Sequence, residues 1–144
     1  MPRLKAGAIS ATTLEAYSGL SRNAVRTLMT AELIAPLTRL SPEDAVIARL
    51  MRRLYWAGPA INTPGESAER DAVRAGAVKA AKLVRAALKK GVPDMVRISD
   101  NGTVTPLTKG ALFDLLDNPG TDVLMIFPLA AWHEEAKRLP EARA

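Results

Sequence analysis

Five polar side chains crowd positions 21 to 27: Ser21, Arg22, Asn23, Arg26 and Thr27. Arginine can grip the O6/N7 edge of guanine with two parallel hydrogen bonds, and asparagine can do the same on the N6/N7 edge of adenine. The hydroxyls suit phosphate oxygens, which fix register without reading sequence. Arg22 and Arg26 are four residues apart, so on a helix they project from one face. Other candidate chemistry is thinner. The single histidine, His133, lies beside Glu134 and Glu135, but consecutive helical residues point about 100° apart and would not converge on one ion. A solvated helix face is the expectation there. Asp114 and Asp117 read as a surface pair, and Gly58, Gly65 and Gly76 do not form a phosphate-binding loop. The absence of cysteine excludes disulfides and thiolate metal sites. No pattern of paired aromatics on strands suggests RNA. Neither catalysis nor a metal nor a cofactor is expected.

The polar cluster needs a scaffold, and residues 12–40 supply the pattern of one. Ser10 or Thr12 can cap a first helix, with Thr12 and Glu15 spaced as a capping box. Ser18-Gly19 breaks it, and Ser21 restarts the chain as the N-cap of a second helix. Leu14, Leu20, Val25, Leu28 and Leu33 can meet in one small core while the polar cluster faces outward. That is the layout of a helix-turn-helix, whose second helix enters the major groove. Ser41-Pro42-Glu43-Asp44 then opens a third helix running to about Trp56: a serine cap, proline in the first turn, and acids at the positive helix end. Its apolar stripe is Val46, Ile47, Leu50, Met51 and Leu54, and its basic side is Arg49, Arg52 and Arg53.

Residues 9–54 resemble the DNA-binding domain of MerR-type regulators and the related phage excisionase branch. The resemblance is carried by Gly19-Leu20-Ser21, Val25-Arg26, Leu33-Ile34, a short wing at 36–40 and Ser41-Pro42-Glu43-Asp44. It implies a winged helix-turn-helix bound to double-stranded DNA. Arg22, Asn23 and Arg26 would read bases, and Ser21, Thr27, Thr38 and Arg39 would hold phosphates. Arg49 and Arg53 would add backbone contacts if the third helix lies close enough. The chain departs from the family pattern at Glu15 and Thr27-Leu28-Met29, so no close relation to the metal- or drug-sensing members is expected.

Residues 58–66 are rich in turn formers and read as a linker. A long helix follows over 67–91, with Val73, Ala77, Ala80, Val84, Ala87 and Leu88 on a narrow stripe. Such an alanine-rich seam allows close helix–helix approach, either within the chain or between two copies. In the resembled family a helix after the DNA-binding domain forms an antiparallel dimer contact, so this one is a candidate for the same role. Residues 92–144 change character: a strand over 95–99, a turn at Asp100-Asn101-Gly102, a second strand, a helix capped by Thr108, an apolar strand over 123–127, and a last helix after Pro128.

The expected fold is therefore mainly α, with a small α+β unit at the C-terminal end. It divides into a winged helix-turn-helix over 1–57, the linker 58–66, a connecting helix 67–91 and a β-β-α-β-α unit over 92–144. Apolar residues make up 48% of the 144 but aromatics only 4%, so leucine, valine, isoleucine and alanine must fill the core. A net charge of +5 favours a polyanionic partner. No apolar run is long enough for a signal peptide or membrane span, and a cytoplasmic location is the default. The leading expectation is a sequence-specific, double-stranded-DNA-binding transcription regulator, of the repressor type found in phages and mobile elements. It would act as a homodimer or higher assembly on DNA, with residues 92–144 serving self-association or a protein partner. The alternatives are an excisionase-like protein that bends DNA, and a protein-interaction adaptor that binds no nucleic acid.

Overall fold

Ser41 begins the helix on which the other elements are laid. The computed structural model describes residues 7–56, 67–99, 101–117 and 125–141. The linker 58–66, Asp100 of the expected turn and positions 123–124 of the expected apolar strand lie outside them. Helix α1 spans Ala11–Ser18, α2 Arg22–Thr30 and α3 Pro42–Met51, and α3 continues into one π-helical turn at Arg52–Trp56. Helix α4 spans Ser67–Lys90. Strands β1 (Met95–Ile98) and β2 (Val104–Leu107), helix α5 (Lys109–Asp117), strand β3 (Met125–Phe127) and helix α6 (Leu129–Lys137) complete the order. The chain is thus mainly helical with one small sheet, as its composition and periodicity predict.

Helix α3 is apolar nearly all round, which marks a helix surrounded by others rather than lying on a surface. Ala45, Val46, Ile47, Ala48, Leu50 and Met51 are all buried, and α1, α4 and α6 pack against them. Ala77, Ala80, Ala81, Val84 and Leu88 form the buried face of α4. The alanine seam, which in sequence fits a helix of this chain as well as one of a second copy, is used inside the chain, where small side chains let α4 approach α3 closely. One hydrophobic cluster runs from Ile9 to Ala136 and draws residues from the N-terminal helices, from α4 and from the C-terminal α+β segment.

The capping box forms at a different place from the one the spacing of Thr12 and Glu15 suggests. Ser10, not Thr12, caps α1 by accepting from the Thr13 backbone N–H. The reciprocal pair sits at α3: Ser41 Oγ accepts from the Asp44 N–H, and Asp44 Oδ2 accepts from the Ser41 N–H at 2.8 Å. Glu15 is drawn instead to an arginine across the next turn.

The sheet is antiparallel with strand order β2-β1-β3. Val96 and Ile98 alternate inward along its central strand, and Phe127 pairs with Val96. Phe127 also meets Trp132 of α6 in a tilted ring contact, centroids 5.6 Å apart. The hairpin between β1 and β2 lies directly on α4. A Cβ at Gly102, whose φ is +84°, would collide with the backbone carbonyl of Gly76. Glycine is required there for both its conformation and its missing side chain.

Candidate nucleic-acid interface

Two features set α2 in place. Gly19, at φ +80°, turns the chain sharply after α1, and Ser21 Oγ accepts from the Ala24 N–H to start the new helix. Ala24, Val25 and Leu28 then bury one stripe. The far end closes on a Schellman pair: Leu33 N–H donates to Leu28 O and Glu32 N–H to Met29 O. The left-handed residue that this motif needs is Glu32, at φ +60°, where glycine would be unstrained.

The opposite side of α2 presents Asn23, Arg26, Thr27 and Thr30, all exposed. No hydrogen bond or ion pair engages Arg26 among the described residues. Thr27 turns its hydroxyl inward to donate to the Asn23 carbonyl at 2.9 Å. Ser21 is exposed, although its oxygen serves the cap. Arg22 is placed differently from the outward reading. Its guanidinium folds back on α1, 2.6 Å from Glu15 and 3.3 Å from the Thr12 hydroxyl. This pair ties α1 to α2 across the turn and gives a reason for Glu15, a residue the family comparison leaves as a misfit.

Residues 36–40 make a tight turn and not a two-stranded hairpin. Arg39 N–H donates to Pro36 O at 2.8 Å, and one antiparallel bridge pairs Leu40 with Ile9. Leu40 is buried, Thr38 is half-buried and Arg39 is exposed. Arg53 is exposed on the π-helical turn. Arg52 lies over Gly19, about 3.7 Å from where a Cβ would stand.

Arg49 is engaged by α1 and α6. It lies over the ring of Trp132 at 4.5 Å and over that of Tyr17 at 5.1 Å, and it donates to Glu135 at 2.7 Å and to the Tyr17 hydroxyl at 3.1 Å. The Tyr17 hydroxyl in turn donates to the Trp132 carbonyl at 3.0 Å. Burial raises the tyrosine pKa in spite of the adjacent guanidinium. Burial alone would lower that of Arg49, but the bonds to Tyr17 and Glu135 outweigh it and raise it. The expected backbone contact through Arg49 is corrected: this arginine is the clamp between α1, α3 and α6.

His133 requires a second correction. It is only 7% exposed and meets Glu43 through Nε2 at 3.2 Å, so it is no part of a solvated face. Glu43 stays ionised to lower pH than usual. Burial opposes this, but its own backbone N–H, His133 and Ser41 together outweigh burial. No group of three or more metal-ligating side chains forms among the described residues.

The deepest polar group is Asp44, 1% exposed. One carboxylate oxygen accepts from Ala35 N–H and from the Arg85 guanidinium, the other from Ser41 N–H and hydroxyl. Arg85 also donates to the Leu33 carbonyl at 2.8 Å. Through this one carboxylate the loop leaving α2, the start of α3 and the middle of α4 are fixed together. Only the capping role of Asp44 is readable in sequence, because its partner on α4 is 41 residues away.

Comparisons with protein-family models, with curated proteins and with solved structures found no match to this chain. No helix among the described residues is long and apolar enough to cross a membrane.

Proposed function

We propose that the chain is a sequence-specific, double-stranded-DNA-binding transcription regulator that presents α2 to the major groove, in the manner of a MerR-like winged helix-turn-helix. The observation that carries this reading is the outer face of α2. It is polar along its length, is held rigidly by caps at both ends, and bears an arginine with no described partner. Asn23 and Arg26 are the base readers. Arg22 serves them indirectly by pinning the start of α2 to Glu15. Ser21, Thr38, Arg39 and Arg53 hold phosphates and fix register, whereas Thr27, expected to join them, spends its hydroxyl proton on the Asn23 carbonyl; the turn at 36–40 takes the place of the wing. The net charge of +5 supports a polyanionic ligand. A module of this size binds weakly against genomic competition, so two copies on repeated half-sites are expected.

The test is a fluorescence-anisotropy titration of the full chain against genomic duplex fragments over a range of salt. A few fragments should stand out, with affinity falling steeply as salt rises. Arg26→Ala should weaken binding to those fragments by about 1–3 kcal/mol and relax preference at one base pair. Equal weakening on every sequence would move Arg26 to a phosphate contact. No affinity for any duplex at low salt would overturn the reading.

A further inference from the structure

Helix α5 buries none of its nine residues completely. Leu112 and Leu115 are half-buried on its inner side, while Phe113 and Leu116 are 67% and 56% exposed. With 3.6 residues per turn, Lys109, Gly110, Phe113, Leu116 and Asp117 fall within about 120° on the outer side. Beside them lies an apolar concavity of about 500 Å³, walled by Met95, Leu112, Pro128 and Ala131. Exposed large apolar groups next to an apolar hollow mark a contact surface.

The charges on α5 say what kind of partner fits. The helix has no acid in its first turn and no base in its last; it carries Lys109 at its start and Asp117 at its end. Both charges oppose the helix macrodipole, so the helix is disfavoured when alone. Neither has an ion-pair partner among the described residues. An antiparallel copy of the same helix reverses this. Phe113 is the midpoint of Lys109–Asp117, so a two-fold axis through it sets Lys109 against the partner's Asp117, and Asp117 against the partner's Lys109. The same operation sets Leu116 beside the partner's Lys109 on one edge of the contact, where the aliphatic stem of that lysine can cover it. Apolar centre and flanking charges are thus self-complementary, as an isologous contact demands.

We infer that α5 is a homodimerisation surface, on which a second copy of this chain packs its own α5 antiparallel about Phe113. The contact does not depend on DNA binding, so its failure would leave the reading of α2 untouched.

Sedimentation equilibrium of the full chain from low-micromolar to millimolar concentration tests it. The chain should dimerise reversibly. Phe113→Asp should abolish dimerisation while far-UV circular dichroism stays unchanged. Lys109→Asp should raise Kd about tenfold by opposing like charges at both ends of the contact. It also improves the helix's own electrostatics, so that loss cannot come from unfolding of α5. The double swap Lys109→Asp with Asp117→Lys should bring Kd back to near the original value. A chain that is monomeric throughout overturns the inference and leaves this face to a partner of other chemistry. A dimer indifferent to Phe113→Asp and Lys109→Asp overturns it as well.

Discussion

Helices α2 and α5 have the same length, nine residues, and each leaves one side exposed. They are held in opposite ways. Helix α2 sinks Ala24, Val25 and Leu28 into the core, is capped by Ser21 and ends on a bonded Schellman turn. Its outer side is polar. Helix α5 has a single side-chain cap at Thr108, no fully buried residue, and an outer side dominated by Phe113 and Leu116. The first is a rigid platform offering hydrogen-bond donors. The second is a loosely anchored strip offering apolar surface. Rigidity suits a helix that must place side chains against a fixed pattern of acceptors, because little ordering entropy is left to lose on contact. A loosely held apolar helix gains its support from whatever covers it.

The contrast can be broken most severely at Asp44, whose carboxylate anchors the exit from α2. Asp44→Ala strands the Arg85 guanidinium and leaves the Ala35 and Ser41 N–H groups without their acceptor. Urea denaturation should register a loss of about 3–5 kcal/mol. A loss below about 1 kcal/mol, the range of an exposed pair, would show that α4 does not secure the exit of α2.

Leucine truncation compares the helices directly. Leu28→Ala in α2 removes a side chain 1% exposed and should cost roughly 2–5 kcal/mol. Leu115→Ala in α5 removes a half-buried one and should cost about 1 kcal/mol when measured on dilute, monomeric protein. Equal costs would erase the distinction between platform and strip.

The smallest change sharpens the picture from the other direction. Glu32→Gly places glycine at the left-handed position closing α2 and should stabilise the fold by about 0.5–1 kcal/mol, read as a higher urea midpoint. Destabilisation there would mean that the carboxylate of Glu32 contributes more than its backbone strain costs.

Much of this fold was legible in sequence, because caps and turns are local. Ser21, Ser41-Pro42 and the glycine of the hairpin each announce an element boundary within a few residues of it. The polar face of α2 was legible for the same reason, since helical spacing separates it from Ala24, Val25 and Leu28. What stayed hidden is pairing at a distance. Glu15 looks like half of a capping box until Arg22 is folded beside it. Arg49 looks like a free basic residue until Trp132, more than eighty positions later, slides beneath it. His133 looks solvated because its neighbours in sequence are two glutamates, while its neighbour in space is Glu43. The alanine stripe of α4 fits a helix of this chain as well as one from another copy, and periodicity alone does not choose between them.

The clamp of α6 on α3 also has a consequence for how the protein comes into being. Arg49 and Glu135 are 86 residues apart, and ribosomes add roughly 5–20 residues each second. The first three helices therefore emerge about 4–17 s before the segment that roofs them. During that interval the side of α3 that packs on α6 has no cover. A nascent chain in this state shows apolar surface that the finished fold hides, the kind of surface on which aggregation starts. Order of synthesis thus leaves the closing of the core to the last of the described helices.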